Sequence, residues 1–284
     1  MIEYPSRRRV GASTRTRKNA MRVRVAKSAL LLAAFFGLAP GVPAQSQADA
    51  ETGRCNDAVV KRVGKHFRLA DFAYPAQDMS PSVEDGGLIV AGVCKPWPTD
   101  KSRTIAAFAY DGGDEYAKQL LVAVLEGPNN RVAASYKGTI SEDAATEVSS
   151  HSLSLDTARY VLAKNTRAFG LRLNRFHDRC TFEGGFDDEL TLFVVEAQAI
   201  RPVLTETMSH WSYGEGNRCG GEDVPRTDAN VLISVEPTRT SGFADLRLVG
   251  VRSDKKKRAS AVVKYDGQRY DLAPWKAAFG AWWD

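Results

Sequence analysis

The chain has 284 residues, of which 43% are hydrophobic and 26% are charged, and its formal net charge is +5. This hydrophobic fraction is ordinary for a globular protein. The basic balance comes from residues 1–44, which hold nine Lys or Arg and one acid, so that segment carries +8 and the remainder carries −3. A nucleic-acid partner is therefore not expected for the folded part of the chain.

The first 44 residues have the three parts of a secretory signal. A basic region precedes an apolar run from Ala29 to Ala39, and the small residues Val42 and Ala44 suit cleavage before Gln45. This run is too short to span a bilayer, which takes about 20 residues. We therefore expect a periplasmic or secreted protein with no membrane span in its mature form.

Two boundaries follow from this leader. Met21 is a better start than Met1, because the basic residues after it lead directly into the apolar run. Residues 1–20 are then interpreted as a mis-assigned extension. Residues 45–54 are polar with small side chains, which predicts a flexible segment, and the globular domain is expected over 55–284.

The chain has four cysteines, an even number that predicts two disulfides in an exported protein. Cys55 and Cys94 are 39 residues apart, and so are Cys180 and Cys219. Three pairings are open, and the equal spacing favours the sequential one. No CxxC pair or adjacent His suggests a zinc site, and neither a metal nor another cofactor is expected.

Short runs of alternating or apolar residues, separated by turn residues, predict a mainly β protein. Residues 167–173 and 189–195 are expected to be central strands, the second with both faces covered, and Arg201-Pro202 is expected to stop this second strand. The fold class that follows is a single β-rich domain, built as a sandwich or a propeller-like stack of sheets. Other strands are predicted at 65–74, 88–93, 104–110, 119–125, 131–136, 152–155, 159–162, 200–205, 231–235, 244–251, 259–265 and 268–272.

Short helical turns are predicted at both ends of this domain. The first covers 56–64, with Asn56 or Asp57 as its cap and Gly64 at its end. The second lies in the last ten residues, where four aromatic side chains crowd together: Trp275, Phe279, Trp282 and Trp283. An aromatic plug that packs on the sheet is the main interpretation, and a surface binding patch is the alternative.

Arginines in or beside the predicted core strands are the other candidates for partner binding: Arg159, Arg167, Arg172 and Arg201. An arginine can bury its aliphatic stem and pair with acids such as Asp156 or Glu189, which would make these residues structural. The alternative is an anion-binding or partner-binding site. Together with Trp282 and Trp283, they form the predicted set of partner-binding residues.

Catalytic signatures are absent from the sequence pattern. No GxSxG elbow, phosphate loop or dinucleotide glycine pattern occurs. His151 and His177 lie beside Ser or Asp residues, so a hydrolase that uses one of them with a neighbouring acid is an alternative hypothesis. Acids cluster at 111–115 and 187–189 but lack the spacing of a calcium loop, so solvated turns are expected there.

Two resemblances bear on function. Segments 153–160, 167–170 and 190–193 resemble uncharacterised exported β-rich proteins of proteobacteria, which implies no activity. Residues 242–246 (GFADL), followed by 265–270 (YDGQRY), are similar to the closing segment of periplasmic lysozyme inhibitors of the invertebrate-lysozyme class. Where that family has calcium-binding acids, this chain has Pro237, Arg239 and Ser241, which leaves Asp245 alone.

The resemblance implies an inhibitor or binding role. We therefore predict an exported, non-catalytic protein that binds a protein partner in the cell envelope, with inhibition of a cell-wall hydrolase such as lysozyme as its most concrete form. A periplasmic hydrolase and a structural envelope protein are the alternatives.

Overall fold

The computed structural model describes residues 53–75 and 88–283. The predicted leader, its cleavage point and most of the 45–54 segment lie outside these residues. Strands dominate the described part. In chain order, the helices and strands are α1 (Asp57–Phe67), β1 (Ile89–Trp97), β2 (Asp100–Tyr110), β3 (Ala117–Glu126), β4 (Arg131–Ser141), β5 (Leu153–Ala163), β6 (Thr166–Leu173), β7 (Gly184–Glu196), β8 (Ala199–Tyr213), a 3-10 helix (Arg218–Gly220), β9 (Arg226–Thr240), β10 (Phe243–Arg252), β11 (Ala259–Val263) and α2 (Ala273–Trp283).

The strands form one hydrogen-bonded sheet of eleven strands. Its main path runs β1-β2-β3-β4-β8-β7-β6-β5, and β9, β10 and β11 continue from β8. Between the strands described above, all pairings are antiparallel except a parallel bridge between Ser135 of β4 and Ala199 of β8, which joins the β1–β4 hairpins to the β5–β8 hairpins. The mainly β class and the single β-rich domain are thus confirmed, with the strands in one continuous sheet.

The sheet coils, so that β5 lies beside β1 and β2. Lys95 Nζ donates to the Leu155 carbonyl across this seam at 3.3 Å, and the rings of Trp97 and Phe169 meet across it with centroids 5.8 Å apart. The inward face encloses a buried apolar core to which all eight strands of the main path contribute, including Ala91, Ile105, Val124, Ala134, Leu155, Phe169, Phe193 and Ile200.

Two further layers cover the outside of the coil. Helix α1 packs on the outer face of β1–β3, and the Cys55–Cys94 disulfide ties the chain before it to β1. Strands β9–β11 and helix α2 cover the outer face of β5–β8, where Trp275 is almost fully buried. Both faces of β7 are covered, as predicted, because Leu192 belongs to the outer core and Phe193 to the inner one.

The second disulfide joins Cys180, in the loop after β6, to Cys219 in the 3-10 helix. The predicted sequential pairing of the cysteines is therefore confirmed. Both bonds close loops within one part of the chain, the first at the start of β1–β4 and the second within β5–β11.

The start of the domain differs from the prediction. Asn56 caps α1, since its side chain accepts a hydrogen bond from the Val59 amide at 3.0 Å, but the helix continues past Gly64 to Phe67. Gly64 lies inside the helix because Phe72 packs against it, leaving no room for a Cβ. Arg68 ends the helix with a left-handed backbone, φ 59°. The predicted strand at 65–74 was therefore wrong.

Two other strand predictions need correction. Arg201-Pro202 does not stop β7, which ends earlier, at Glu196; Pro202 lies instead inside β8, which runs through it to Tyr213. The register shifts at this point, since Leu192 pairs with Leu204 but Phe193 pairs with Pro202. This extra residue makes a bulge, where a missing N–H is tolerated. The predicted strand at 268–272 was also wrong, since the chain there forms only an isolated bridge between Tyr265 and Tyr270.

Candidate binding site

The structure distributes the six predicted binding residues over three places. Arg172 and Arg201 hold ion pairs on the outside of the sheet. Trp282 and Trp283 belong to α2. Arg159 and Arg167 line the same cleft, at one end of the coiled sheet.

Arg172 is the centre of a half-buried polar network. Its Nε and Nη2 donate to Asp156 Oδ2 at 3.1 and 3.0 Å, and its Nη1 donates to Asp188. Tyr160 Oη donates to the same Asp156 oxygen at 3.1 Å. Burial, followed by the Asp156 charge, raises the pKa of Tyr160 to about 12. Arg172 is thereby occupied with acids of its own chain.

The pKa values of the two carboxyl groups in this network, Asp156 and Asp188, are shifted in opposite directions. Burial raises the pKa of Asp188 above its usual value, although Arg172 opposes this shift. Burial acts in the same direction on Asp156, but hydrogen bonds from the Ala158 amide and Arg172 outweigh it and lower the pKa of that carboxyl. Burial lowers the pKa of Arg172, but Asp188 and Asp156 together outweigh it and raise that pKa, so both acids act as counter-charges.

Arg201 and the last tryptophans are also held by internal contacts. Arg201 pairs with Glu196 and donates to Tyr265 Oη at 2.7 Å. Trp282 is buried, and its Nε1 donates to the Lys257 carbonyl at 2.8 Å. Trp283 is half-buried, with the Arg252 guanidinium 4.9 Å from its ring centroid. The structure thus places the terminal aromatic residues in a layer that packs on the sheet.

The cleft has a volume of about 560 Å³ and lies between two tight hairpin turns, one joining β1 to β2 and the other joining β5 to β6. We call it the basic mouth. It is lined by Trp97, Thr99, Asp100, Arg103, Arg159, Val161, Ala163, Lys164, Asn165, Thr166, Arg167 and Val195.

Strand alternation explains why arginines line this end of the sheet. On β2, Ile105 and Ala107 belong to the inner core, and Arg103 takes the next position on the same face. On β6, Phe169 belongs to that core, and Arg167 takes the next position towards the turn. Because side chains two residues apart on a strand point to the same face, both arginines lie on the inner face, next to the core residues and nearer the end of the coiled sheet. Their stems cover the core and their guanidinium groups reach the cleft.

The charges in the basic mouth are poorly compensated. Four cations line it against one acid, which gives a formal charge of +3: Arg103, Arg159, Lys164 and Arg167 against Asp100. Hydrogen bonds from Ser102 lower the pKa of Asp100, and Arg103 adds to this effect, so the acid is ionised at neutral pH. Within the described part of the chain, no carboxylate forms an ion pair with any of the four cations.

Two of these cations keep a buried donor without an acceptor. Arg167 Nη2 donates to the carbonyls of Thr157 and Ala158, at 2.8 and 3.3 Å, but its buried Nε has no hydrogen-bond partner. Arg103 lies 5.1 Å from the ring centroid of Trp97, and its buried Nε is also without a partner. Buried donors are nearly always hydrogen-bonded in proteins, so these two guanidinium groups keep hydrogen-bonding capacity that no other group in the described residues uses.

The histidines form no comparable site. His177 Nε2 lies 3.5 Å from Glu147 Oε2, and both side chains are exposed, while His151 lies in an exposed turn. The sequence interpretation missed His66, whose Nε2 lies 2.9 Å from Ser135 Oγ. A serine nucleophile needs its histidine oriented by a third group, and no carboxylate contacts His66 among the described residues.

The acidic cluster at 111–115 lies in the turn between β2 and β3, as predicted, but the cluster at 187–189 lies inside β7, so the turn predicted there was wrong. Acids of both clusters are engaged in the protein's own contacts. Asp111 pairs with Lys118 at 3.2 Å, and Asp187 accepts from the Arg175 amide at 3.1 Å. In the described ranges, no group of three or more His, Cys, Asp or Glu side chains is placed to hold a metal ion.

Comparison of the chain with protein-family models, with curated proteins and with solved structures found no match. Neither of the two α helices described above has the length and apolar character needed to cross a membrane. The geometry and charge of the basic mouth are therefore the main guide to function.

Proposed function

We propose that this chain is an exported, non-catalytic binding protein that engages an acidic group of a macromolecular partner in the basic mouth. One observation carries the proposal: four cations share a half-enclosed cleft with a single acid. Like charges that line one cleft repel one another. An anionic partner relieves that repulsion on binding.

The setting of the cleft supports the same function. Ligand sites are commonly concave and lie at the open ends of curved sheets, with a few polar groups on an apolar wall. Here Val161 and Val195 supply apolar wall beside the cations. Because residues 45–284 together carry −3, the positive field is local, and it guides an acidic group to this place rather than to the whole surface.

The two disulfides support export, since such bonds persist in oxidising compartments. Together with the predicted leader they favour the periplasm or the exterior of the cell. Inhibition of a cell-wall hydrolase such as lysozyme is the specific form that we propose to test. It rests on the resemblance of residues 242–246 and 265–270 to inhibitors of that class.

The test uses the exported protein, purified from the periplasm, in three forms: wild type, the double variant Arg159→Gln/Lys164→Gln, and the matched control Lys101→Gln. Lys101 is an exposed cation on β2 that does not line the mouth. Each form is immobilised and challenged with an envelope extract, and captured proteins are identified by mass spectrometry. Each form is then assayed as an inhibitor of purified lysozymes of several types.

We expect wild type and Lys101→Gln to retain the same partner in stoichiometric amount, and the double variant to lose it. Inhibition of one lysozyme type by wild type and Lys101→Gln, but not by the double variant, would establish lysozyme inhibition as the function. Retention of that partner by the double variant would refute the basic mouth as its site. Turnover of an ester, peptide or glycan that disappears in His177→Ala or His151→Ala would replace the proposal with a hydrolase.

A further inference from the structure

We infer that the basic mouth binds a compact oxyanion group with two or three negative charges, which accepts hydrogen bonds from the guanidinium groups of Arg103 and Arg167. This inference rests on the proposed function only in placing binding at the mouth. It adds the chemistry of the bound group.

Charge matching sets the valence of the ligand. With Asp100 ionised, the lining residues carry +3. A single carboxylate would leave +2 in the cleft, whereas a phosphate dianion or a group of two or three carboxylates would neutralise most of it. Because the attraction grows with the product of the charges, multivalent anions gain most from this site.

The donor geometry points to oxygen acceptors. An arginine presents its N–H groups in a planar fork that fits the oxygens of carboxylate and phosphate. The backbone carbonyls of Thr157 and Ala158 already hold one arm of Arg167, so its guanidinium group is fixed in place before a ligand arrives. The guanidinium group of Arg103 lies over the Trp97 ring, 5.1 Å from its centroid. Such pre-ordering reduces the entropy lost on binding.

The size of the cleft indicates what carries the oxyanion. A volume of about 560 Å³ falls in the range of small-molecule sites and exceeds what one phosphate fills. Arg159 and Lys164 are exposed at the rim, where they meet an approaching anion first. The bound group is therefore part of a larger molecule, and its body lies along the apolar wall of Val161, Ala163 and Val195.

Isothermal titration calorimetry of the exported protein at low ionic strength tests the inference with four probes: acetate, inorganic phosphate, pyrophosphate and citrate. We expect affinity to rise with anion charge, with pyrophosphate and citrate at least tenfold tighter than acetate. Comparison of pyrophosphate with citrate shows whether phosphate or carboxylate oxygens are preferred. Equal affinity for all four probes, or no binding of any, would overturn the inference.

Variants assign the binding to the mouth. Arg103→Gln and Arg167→Gln are each expected to weaken the tightest probe at least tenfold, because a charge-assisted hydrogen bond is lost. Asp100→Asn should strengthen binding of the same probe severalfold, because it removes the opposing charge and keeps an oxygen acceptor for Ser102. Lys101→Gln should change nothing. Circular dichroism verifies that each variant is folded, and Asp100→Asn provides a gain that misfolding cannot imitate.

The outcomes separate the inference from the proposed function. Anion binding that Arg103→Gln abolishes, without any partner that depends on Arg159 and Lys164, would support the inference and refute the macromolecular role. Partner capture that depends on Arg159 and Lys164, without binding of any anion, would support the macromolecular role and refute the inference. Anion affinity that is unaltered in both Arg103→Gln and Arg167→Gln would contradict the assigned donors.

Discussion

Arg167 and Arg172 lie on the same strand, β6, yet they belong to regions with opposite electrostatics. Arg172 points to the outer face, where it bridges Asp156 and Asp188 in a half-buried network. Arg167 lies on the inner face at the end of the strand, where it meets two carbonyls and no carboxylate. An odd spacing along the strand puts the two arginines on opposite faces of the sheet.

The comparison shows that pairing across strands, more than residue type, decides what an arginine does in this sheet. The outer face brings acids of β5 and β7 to Arg172, so its charge is used for stability. The basic mouth brings four cations together with a single acid, Asp100, so most of their charge is available to a ligand. Substitutions in the two regions should therefore act on different properties.

The largest stability effect is expected from Arg172→Ala. Its removal leaves Asp156 and Asp188 partly buried without a counter-charge, which we expect to lower the free energy of unfolding by about 3 kcal/mol. Arg159→Ala, the matched change in the mouth, should alter it by less than about 0.5 kcal/mol. Urea denaturation followed by circular dichroism measures both. Equal losses in the two variants would mean that the mouth is structural as well.

A smaller effect is expected at alkaline pH. The pKa of Tyr160 rises from 10.0 to about 12 in the folded protein, so the folded state keeps a phenolic proton that the unfolded chain loses first. The stabilisation that comes from this raised pKa is complete below pH 10 and decreases as the pH rises to about 12. The loss amounts to about 2 kcal/mol over that interval.

The test compares wild type with Tyr160→Phe by urea denaturation at pH 9 and at higher pH values. The variant lacks the ionisable group, so its stability should fall less steeply above pH 10. Absorbance at 295 nm should show one tyrosine fewer among those that titrate late. Parallel pH profiles for the two proteins would show that the network does not hold the Tyr160 proton.

Local patterns in the sequence were sufficient for the β class and the central strands, because alternation of apolar side chains is a property of each strand alone. Phe193 and Leu192 on opposite faces of β7 could be predicted in this way. Pro202 could not, because the bulge that accommodates it depends on the partner strand. The strand predicted at 65–74 failed because α1 continues through Gly64, whose small size serves contact with Phe72.

The candidate site was predicted only in part. Arg159 and Arg167 could be singled out as charges within apolar strands, but so could Arg172 and Arg201, and only cross-strand register separates the two pairs. Arg103 was missed, although the two-residue spacing of Arg103, Ile105 and Ala107 places all three side chains on the same face of β2. Lys164 lies in a turn, where a cation is unremarkable until the coiling of the sheet brings it beside the others.

The smallest effect concerns salt. Repulsion within the basic mouth should make the double variant Arg159→Gln/Lys164→Gln a few tenths of a kcal/mol more stable than wild type at 0.05 M NaCl. The difference should vanish at 1 M, where the Debye length is about 3 Å. Thermal unfolding at both concentrations measures it. A double variant that is less stable than wild type at low salt would argue that these cations have internal partners.

The bridge between Ser135 and Ala199 has a consequence for how the chain acquires its structure. Apart from this bridge, strands β1–β4 pair only with sequence neighbours, as do β5–β8, and each group has its own disulfide. Contacts between near neighbours close quickly, whereas those that join distant segments form slowly. The two hairpin groups can therefore assemble and oxidise separately as the polypeptide emerges, and the late step is their association. The basic mouth includes side chains from both groups, so it exists only after that step, and an intermediate with both disulfides formed would still lack the binding site.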